Sequence, residues 1–341
     1  MRTLDDLITL HLSAQKLAGL SLAVIDDSKI VKEQAYGFTE NDTGHSVTSA
    51  TLFQAGSISK PLAAMAALHL VEAGKLSLDE DVNSQLRTWK IPENEFTNAR
   101  KVTLRDILSH SAGLTVHGFA GYPISKAVPT LTEILDGTGC SNSSPIRVAA
   151  IPGTQAKYSG GGYTVLQQLL IDVTSQPFPE FMRDAVLKPL NMTASTFQQP
   201  LPPEMSSAAA TGHEPGGKAV TGRWYVYPQM AAAGLWTTAS DLARFIIGIQ
   251  EALTGRSNRV ISQSMARLML TRQKDNLGLG VFLEGEEKKL RFYHSGRTRG
   301  FDSLLMAYAD RGKGLIILSN ANNDSGAFRN IVKIVAKEYR W

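Results

Sequence analysis

The alternation of apolar and polar positions divides the chain into a helix-and-hairpin start, a helical middle and a strand-rich end. Over residues 3–17, Leu4, Leu7, Ile8 and Leu12 fall on one stripe, which predicts an amphipathic helix. "LSLAVIDDSKIVKEQAYGFT" reads as two strands around a tight "DDSK" turn. Helices are predicted over 58–73, 103–110, 162–175 and 178–187, separated by the Pro/Gly clusters "IPGT", "PLPPE" and "EPGGK". "TTASDLARFIIGIQEAL" starts a further helix with Thr238 or Ser240 as its N-cap. "LGLGVFLE", "KLRFYHSG", "FDSLLMAYAD" and "KGLIILSN" then follow as strands at hairpin spacing, with "EGEEK" and "DRGKG" as turns. "FRNIVKIVAKEYRW" closes the chain as a helix. Leu315, Ile316, Ile317 and Leu318 are apolar in succession, which requires burial on both faces of a sheet.

These elements predict an α/β fold of the α+β type. The N-terminal hairpin and the C-terminal strands make an antiparallel sheet, the two terminal helices flank one face, and a mostly helical inserted region covers the other. Residues 1–56 with 225–341 are expected to form the α/β domain and residues 57–224 the helical domain, with the active site in the cleft between them. The sequence shows no internal repeat.

Composition narrows the function classes. The chain has 341 residues, 43% hydrophobic and 19% charged, as a packed globular protein requires. A net charge of +4, from 35 basic and 31 acidic residues, is too small and scattered for a nucleic-acid partner. Cys140 is the single cysteine, so no intrachain disulfide forms; it reads as an incidental thiol. Asp5 and Asp6 stand where a signal peptide would be basic, and no stretch approaches the roughly 20 apolar residues that span a bilayer. A cytoplasmic protein without a membrane span is expected. Its oligomeric state is not written in the sequence.

Candidate chemistry sits at the mouth of an apolar helix, in "FQAGSISKPLAAMAALHLVEAG". Ser57 and Lys60 are three residues apart, so on a helix their Cβ atoms lie about 5–6 Å from each other. Free serine is a poor nucleophile and needs a base. A lysine desolvated by the apolar run loses basicity and becomes one. The unpaired N–H groups of a helix start, with that of Ser57 itself, favour a developing oxyanion. Gly56 permits a tight entry, and Pro61 fits only the first turn. Ser-x-x-Lys occurs by chance about once in a chain of this length, and Ser13 with Lys16 is a second copy, read as a solvated face.

Two further stretches bear on the same chemistry. "PGTQAKYSGGGYTVLQQLL" offers Tyr158, whose phenol could exchange a proton with Lys60; by composition Tyr163 is an equal candidate. In "KLRFYHSGRTRG", strand alternation puts Leu290, Phe292 and His294 on one face and Arg291 and Tyr293 on the other. His294 then stands where the strand meets a cleft. Gly296 lets a substrate approach the strand, and the backbone N–H of Arg297 is a candidate second oxyanion donor. No Gly-x-Ser-x-Gly elbow, His-Glu-x-x-His or Walker loop is present. His110 and His117 flank "SAGLTV" without a carboxylate or cysteine pattern, so no metal site and no cofactor are expected.

Taken in order, "SISK", "YSG" and "HSG" resemble the serine beta-lactamase-like superfamily, in the branch of class C beta-lactamases, D-alanyl-D-alanine carboxypeptidases, D-aminopeptidases and family VIII esterases. "VTLRDILSHSAGL", "VLKPLNMTASTF" and "AAAGLWTTASDLARF" resemble further landmarks of that branch. The resemblance implies Ser57 as acylated nucleophile, Lys60 as its proton acceptor, Tyr158 as general base and proton shuttle, and the N–H groups of Ser57 and Arg297 as oxyanion donors. It also implies a small ester, amide or lactam as substrate. Two positions depart from the lactamase pattern. Gly160 replaces an asparagine that holds the substrate amide. His294 replaces a lysine that helps bind the substrate carboxylate; Arg297 or Arg299 could restore the charge. The sequence therefore points to a serine hydrolase, foremost a carboxylesterase with weak or no beta-lactamase activity. A D-amino-acid peptidase, carboxypeptidase or beta-lactamase, an acyltransferase, and a non-catalytic penicillin-binding or sensor domain stand as alternatives.

Overall fold

The computed structural model describes residues 4–15, 17–41, 44–322 and 326–341. Lys16, and with it the second Ser-x-x-Lys spacing, lies outside them. The chain opens with helix α1 (Leu4–Gln15) and the hairpin of β1 (Gly19–Asp26) and β2 (Lys29–Gly37). Asp27 and Ser28 both take positive φ (49° and 55°), as a two-residue hairpin turn of type I′ demands. The predicted "DDSK" turn is thus the observed one.

Near the C-terminus follow β3 (Phe282–Glu284), β4 (Arg291–Thr298), β5 (Phe301–Tyr308) and β6 (Gly314–Ser319). Together the six strands form one sheet in the order β2-β1-β6-β5-β4-β3, antiparallel at every pair. The strand expected over 277–284 is shorter than its sequence suggests. Gly280 has φ +86°, its N–H donates to the Leu108 carbonyl, and a Cβ there would lie 2.4 Å from that of Ala64. Residues 277–281 therefore fold inward instead of extending the strand.

Both faces of the sheet are buried, as the run at 315–318 requires. On one face Leu20, Leu22, Val24, Leu315 and Ile317 pack against Ile8 and Leu12 of α1 and against Ile331 and Val335 of the closing helix, α5 (Gly326–Glu338). On the other, Ala23, Ile25, Ile316 and Leu318 join the main core. Each fully buried Leu or Ile contributes about 1.5–3 kcal/mol relative to exposure.

The cover on that second face differs from expectation. Directly against β1 and β6 lies α4 (Ala239–Leu253), which follows the helical middle in sequence. Its stripe of Leu242, Phe245, Ile246 and Ile249 is wholly buried, and Thr238 caps it by accepting from the Asp241 N–H. The middle of the chain packs further along the sheet. It is centred on α2 (Ser59–Glu72), buried on nearly every side, and α3 (Gly160–Thr174). A helix apolar all round belongs in the centre of a protein, and α2 carries Lys60 there, just after the turn that holds Ser57.

Candidate active site

Two glycines set the position of Ser57. The chain enters from a short ribbon, Phe53–Gln54 paired with Trp236–Thr237, and turns through Gly56–Ile58 into α2. Gly56 has φ +51°, and a Cβ there would come within 2.8 Å of the Arg297 nitrogen. On β4, a Cβ at Gly296 would come within 2.0 Å of the Ala55 carbonyl oxygen and 2.4 Å of Ser303 Oγ. The absence of a side chain at Gly296 thus lets the nucleophile's own turn seat against β4, and Gly296 also lines the cleft in front of it. Ser303 Oγ donates to the Ala55 carbonyl at 2.8 Å, which pins the turn to the sheet. Ser59 adds a second tie: its hydroxyl donates to the Gly56 carbonyl at 2.6 Å and accepts from the Leu235 N–H at 3.0 Å.

This turn reaches the sheet because β3 is short. Its pairing with β4 ends at Phe282–Tyr293, and the Gly56–Ile58 turn packs against β4 beyond that point. The Arg297 nitrogen therefore lies beside the residue that precedes Ser57.

Lys60 is 2% exposed and points back along α2. Its Nζ donates to Ser57 Oγ at 3.0 Å and to the Ala232 carbonyl at 2.7 Å. Burial pulls the amine down to about 7, because a charged group loses hydration in the core. A substantial share of molecules at neutral pH then carries a free amine next to the hydroxyl.

Tyr158 completes the cluster. Its phenol is hydrogen-bonded to Ser57, and burial raises it to about 12. The Lys60 ammonium sits 5.0 Å from the centre of its ring. Tyr163, equally eligible by composition, is committed elsewhere: it is fully buried and its hydroxyl donates to the Leu108 carbonyl at 3.1 Å.

His294 faces the cleft from β4 and is 2% exposed. Its Nδ1 lies 2.6 Å from the Ser295 carbonyl, which only accepts, so Nδ1 carries the proton. Burial first, and then the Lys60 charge, push the imidazole down to about 3. It is neutral throughout the physiological range and does not supply the missing positive charge.

Neither arginine supplies it as an unpaired cation. Arg297 forms a two-point ion pair with Asp302, at 2.7 and 2.8 Å. Arg299 is paired with Glu214 and stacked 4.7 Å above the Tyr225 ring. The lost asparagine is not compensated either. A Cβ at Gly160 would lie 3.0 Å from both the His117 carbonyl oxygen and the Phe119 ring, so a loop occupies the place of a side-chain amide.

The cleft around these groups measures about 1130 Å³. Its walls include aromatic side chains that the motifs do not reveal: Phe119, Phe282 and Tyr293. Phe282 stacks parallel to Tyr158 with ring centres 6.2 Å apart. His110 and His117, which form no metal pattern in the sequence, have ring centres 4.3 and 4.9 Å from that of Tyr158. The signal that could have found them is their "SHSAGLTVHG" loop, whose small residues allow close approach to the tyrosine. No group of three or more His, Cys, Asp or Glu side chains among the described residues could hold a metal ion. No helix among them is long and apolar enough to cross a membrane.

A sheet with helices on both faces thus carries a Ser-x-x-Lys turn pressed against β4, beside a tyrosine. The chain belongs to the Beta-lactamase family, whose model matches residues 4–337. Among curated relatives it is 22% identical over 326 residues to the protein flp of Staphylococcus aureus (strain N315), covering 94% of this chain and 63% of that protein. It is 29% identical over 261 residues to penicillin-binding protein 4 of Amycolatopsis lactamdurans, covering 74% and 64% respectively. The chain thus spans less than two thirds of the length of these relatives. Among solved structures, the octameric penicillin-binding protein homologue from Pyrococcus abyssi superposes with a TM-score of 0.79 at 22% identity, covering 98% of this chain and 77% of that one. The D-alanine carboxypeptidase AmpC from Burkholderia cenocepacia gives 0.78 at 20%, covering 98% and 99%.

Proposed function

We propose that the chain is a serine hydrolase that works through an acyl-enzyme on Ser57 and acts most readily on neutral carboxylic esters, with weak or no beta-lactam hydrolysis. One observation carries the acyl-serine part: a buried lysine, lowered to about 7, within hydrogen-bond distance of a hydroxyl that Tyr158 also contacts. The free amine of Lys60 takes the Ser57 proton as Oγ attacks the ester carbonyl carbon. The oxyanion forms against the N–H groups of Ser57 and Arg297. Tyr158, held as a neutral phenol, passes a proton to the departing alkoxide and is reprotonated from Lys60. Water then enters by the same relay, and the acyl group leaves as a carboxylic acid.

The preference for neutral esters rests on what surrounds the serine. A neutral His294, two arginines already paired and a loop in place of an asparagine leave little to hold a carboxylate and an amide. Tests on p-nitrophenyl butyrate, nitrocefin and a D-Ala-D-Ala peptide separate the outcomes. Ester turnover exceeding the other two by at least a hundredfold in kcat/KM supports the proposal, and faster peptide turnover overturns the ester preference. The second reading, a D-amino-acid peptidase, is favoured by one feature: Arg329, on the C-terminal helix, is among the residues that line the cleft.

A further inference from the structure

His110 has no place in the proton relay, yet its contacts converge on the residue that does. Its backbone carbonyl accepts from the Lys157 N–H at 2.8 Å. Its Nδ1 accepts from the Ser159 N–H at 3.1 Å. One histidine thereby holds both chain neighbours of Tyr158, while its ring lies 4.3 Å, centre to centre, from the phenol ring. The residue is 4% exposed. Since a backbone N–H only donates, Nδ1 presents its lone pair and the ring proton sits on Nε2.

The backbone of His110 is arranged to make this grip. Its φ is +54°, in the left-handed region that only a few per cent of residues other than glycine enter, histidine more readily than most. The turn is held from below by a reciprocal cap. Thr103 Oγ1 accepts from the Asp106 N–H, and Asp106 accepts from the Thr103 N–H, starting the helix Leu104–Leu108. The Ser111 N–H then donates to the Asp106 carbonyl at 2.7 Å. Left-handed geometry at a non-glycine residue is kept where the surroundings over-determine it, and such positions cluster at functional sites. Burial also pulls the imidazole well below its usual range, which keeps the Nδ1 lone pair available.

We propose that His110 is a positioning residue for Tyr158: by clamping the N–H groups on either side, and by ring contact, it fixes the phenol at the distance from Ser57 that proton transfer needs. Small displacements of reacting groups cost about a hundredfold in rate, so the role predicts a loss in turnover and not in substrate binding. The inference rests on the acyl-serine reading above.

The test compares His110→Phe, which keeps a ring but removes the acceptor, with His110→Asn, whose side-chain oxygen can accept the Ser159 N–H and which tolerates positive φ. Each is made alone and with Tyr158→Phe. Single-turnover acylation of Ser57 by p-nitrophenyl butyrate, steady-state kinetics and thermal midpoints are measured. The expected result is a ten- to hundredfold fall in kcat for His110→Phe with KM within twofold, and recovery to within about fivefold of wild type for His110→Asn. In the Tyr158→Phe background, His110→Phe should cost less than threefold, because the group it positions is gone. Full activity of His110→Phe, or an undiminished loss without the phenol, overturns the proposal. If His110→Phe does not fold, His110→Ala takes its place in the same cycle. Ser57→Ala serves as control: retained activity there defeats the acyl-serine reading, whereas an inactive Ser57→Ala beside a fully active His110→Phe defeats only the positioning role.

Discussion

The guanidinium of Arg297 and the carboxylate of Asp302 face each other across the β4–β5 hairpin, joined at two points 2.7 and 2.8 Å apart. The Asp302 side chain is 8% exposed and that of Arg297 61%. A carboxylate of this chain thus holds the charge that a carboxylate on a substrate would need. Asp302→Asn should free it. The expected outcome is a two- to fivefold rise in kcat/KM for a monosuccinyl ester relative to a butyrate ester, the range for a partly exposed ion pair of about 0.4–1 kcal/mol. An unchanged ratio would show that Arg297 does not face the acyl group.

Lys60 sets the pH dependence. Its folded value of about 7 lies far below the ordinary value of about 10.4. The free amine is the active form, so kcat/KM for a neutral ester should rise tenfold per pH unit below about 7 and level off above it. His294, at about 3, and Tyr158, at about 12, do not titrate in that window.

The same shift has a stability consequence of opposite convenience. Between about pH 7 and 10.4 the unfolded lysine binds a proton that the folded one does not, so raising the pH through this window stabilises the fold. Below it the penalty is constant. Lys60→Met removes the penalty, and at pH 7 should melt higher than wild type while losing activity. The gap in melting temperature should narrow as pH approaches 10. A lower midpoint for Lys60→Met at pH 7 would mean that the bonds to Ser57 and Ala232 outweigh desolvation.

Gly296→Ala should act at a distance of one layer. The added methyl meets the Ala55 carbonyl and Ser303 Oγ, so it must push the Ser57 turn off β4. Activity should fall about a hundredfold or more. A crystal structure of the variant should show residues 55–57 displaced; an unmoved turn with normal activity would refute the role given to this glycine.

Gly160→Asn tests whether the lost amide side chain is simply missing or displaced. It must compete with the Phe119 ring and the His117 carbonyl. Alone, it should destabilise by about 1–3 kcal/mol, as overpacking does. Paired with Phe119→Ala, part of that loss should return, giving a non-additive cycle in chemical denaturation.

The sequence made the outline of the fold readable because strand and helix periods are strong over long segments. The apolar run at 315–318 implied two covered faces, and both are covered. Pro61 placed a helix start just before it, and Lys60 in the first turn of α2 reaches back to Ser57 in the turn that precedes the helix. What stayed hidden depends on packing between distant segments. Nothing local separates Tyr158 from Tyr163; the difference is that the Leu108 carbonyl claims one hydroxyl. Nothing local shows that Arg297 and Arg299 are paired, or that Gly296 makes room for Ala55. His110 and His117 lacked a metal pattern and so carried no meaning until the fold set both rings against the same phenol.

The most direct measurement is intact-mass spectrometry after brief exposure to p-nitrophenyl butyrate, followed by peptide mapping. The account predicts one butyryl group on the peptide that contains Ser57, slow to form below pH 6 and absent from Ser57→Ala. Ester hydrolysis at the wild-type rate with no adduct there, or an adduct on another side chain, would contradict it.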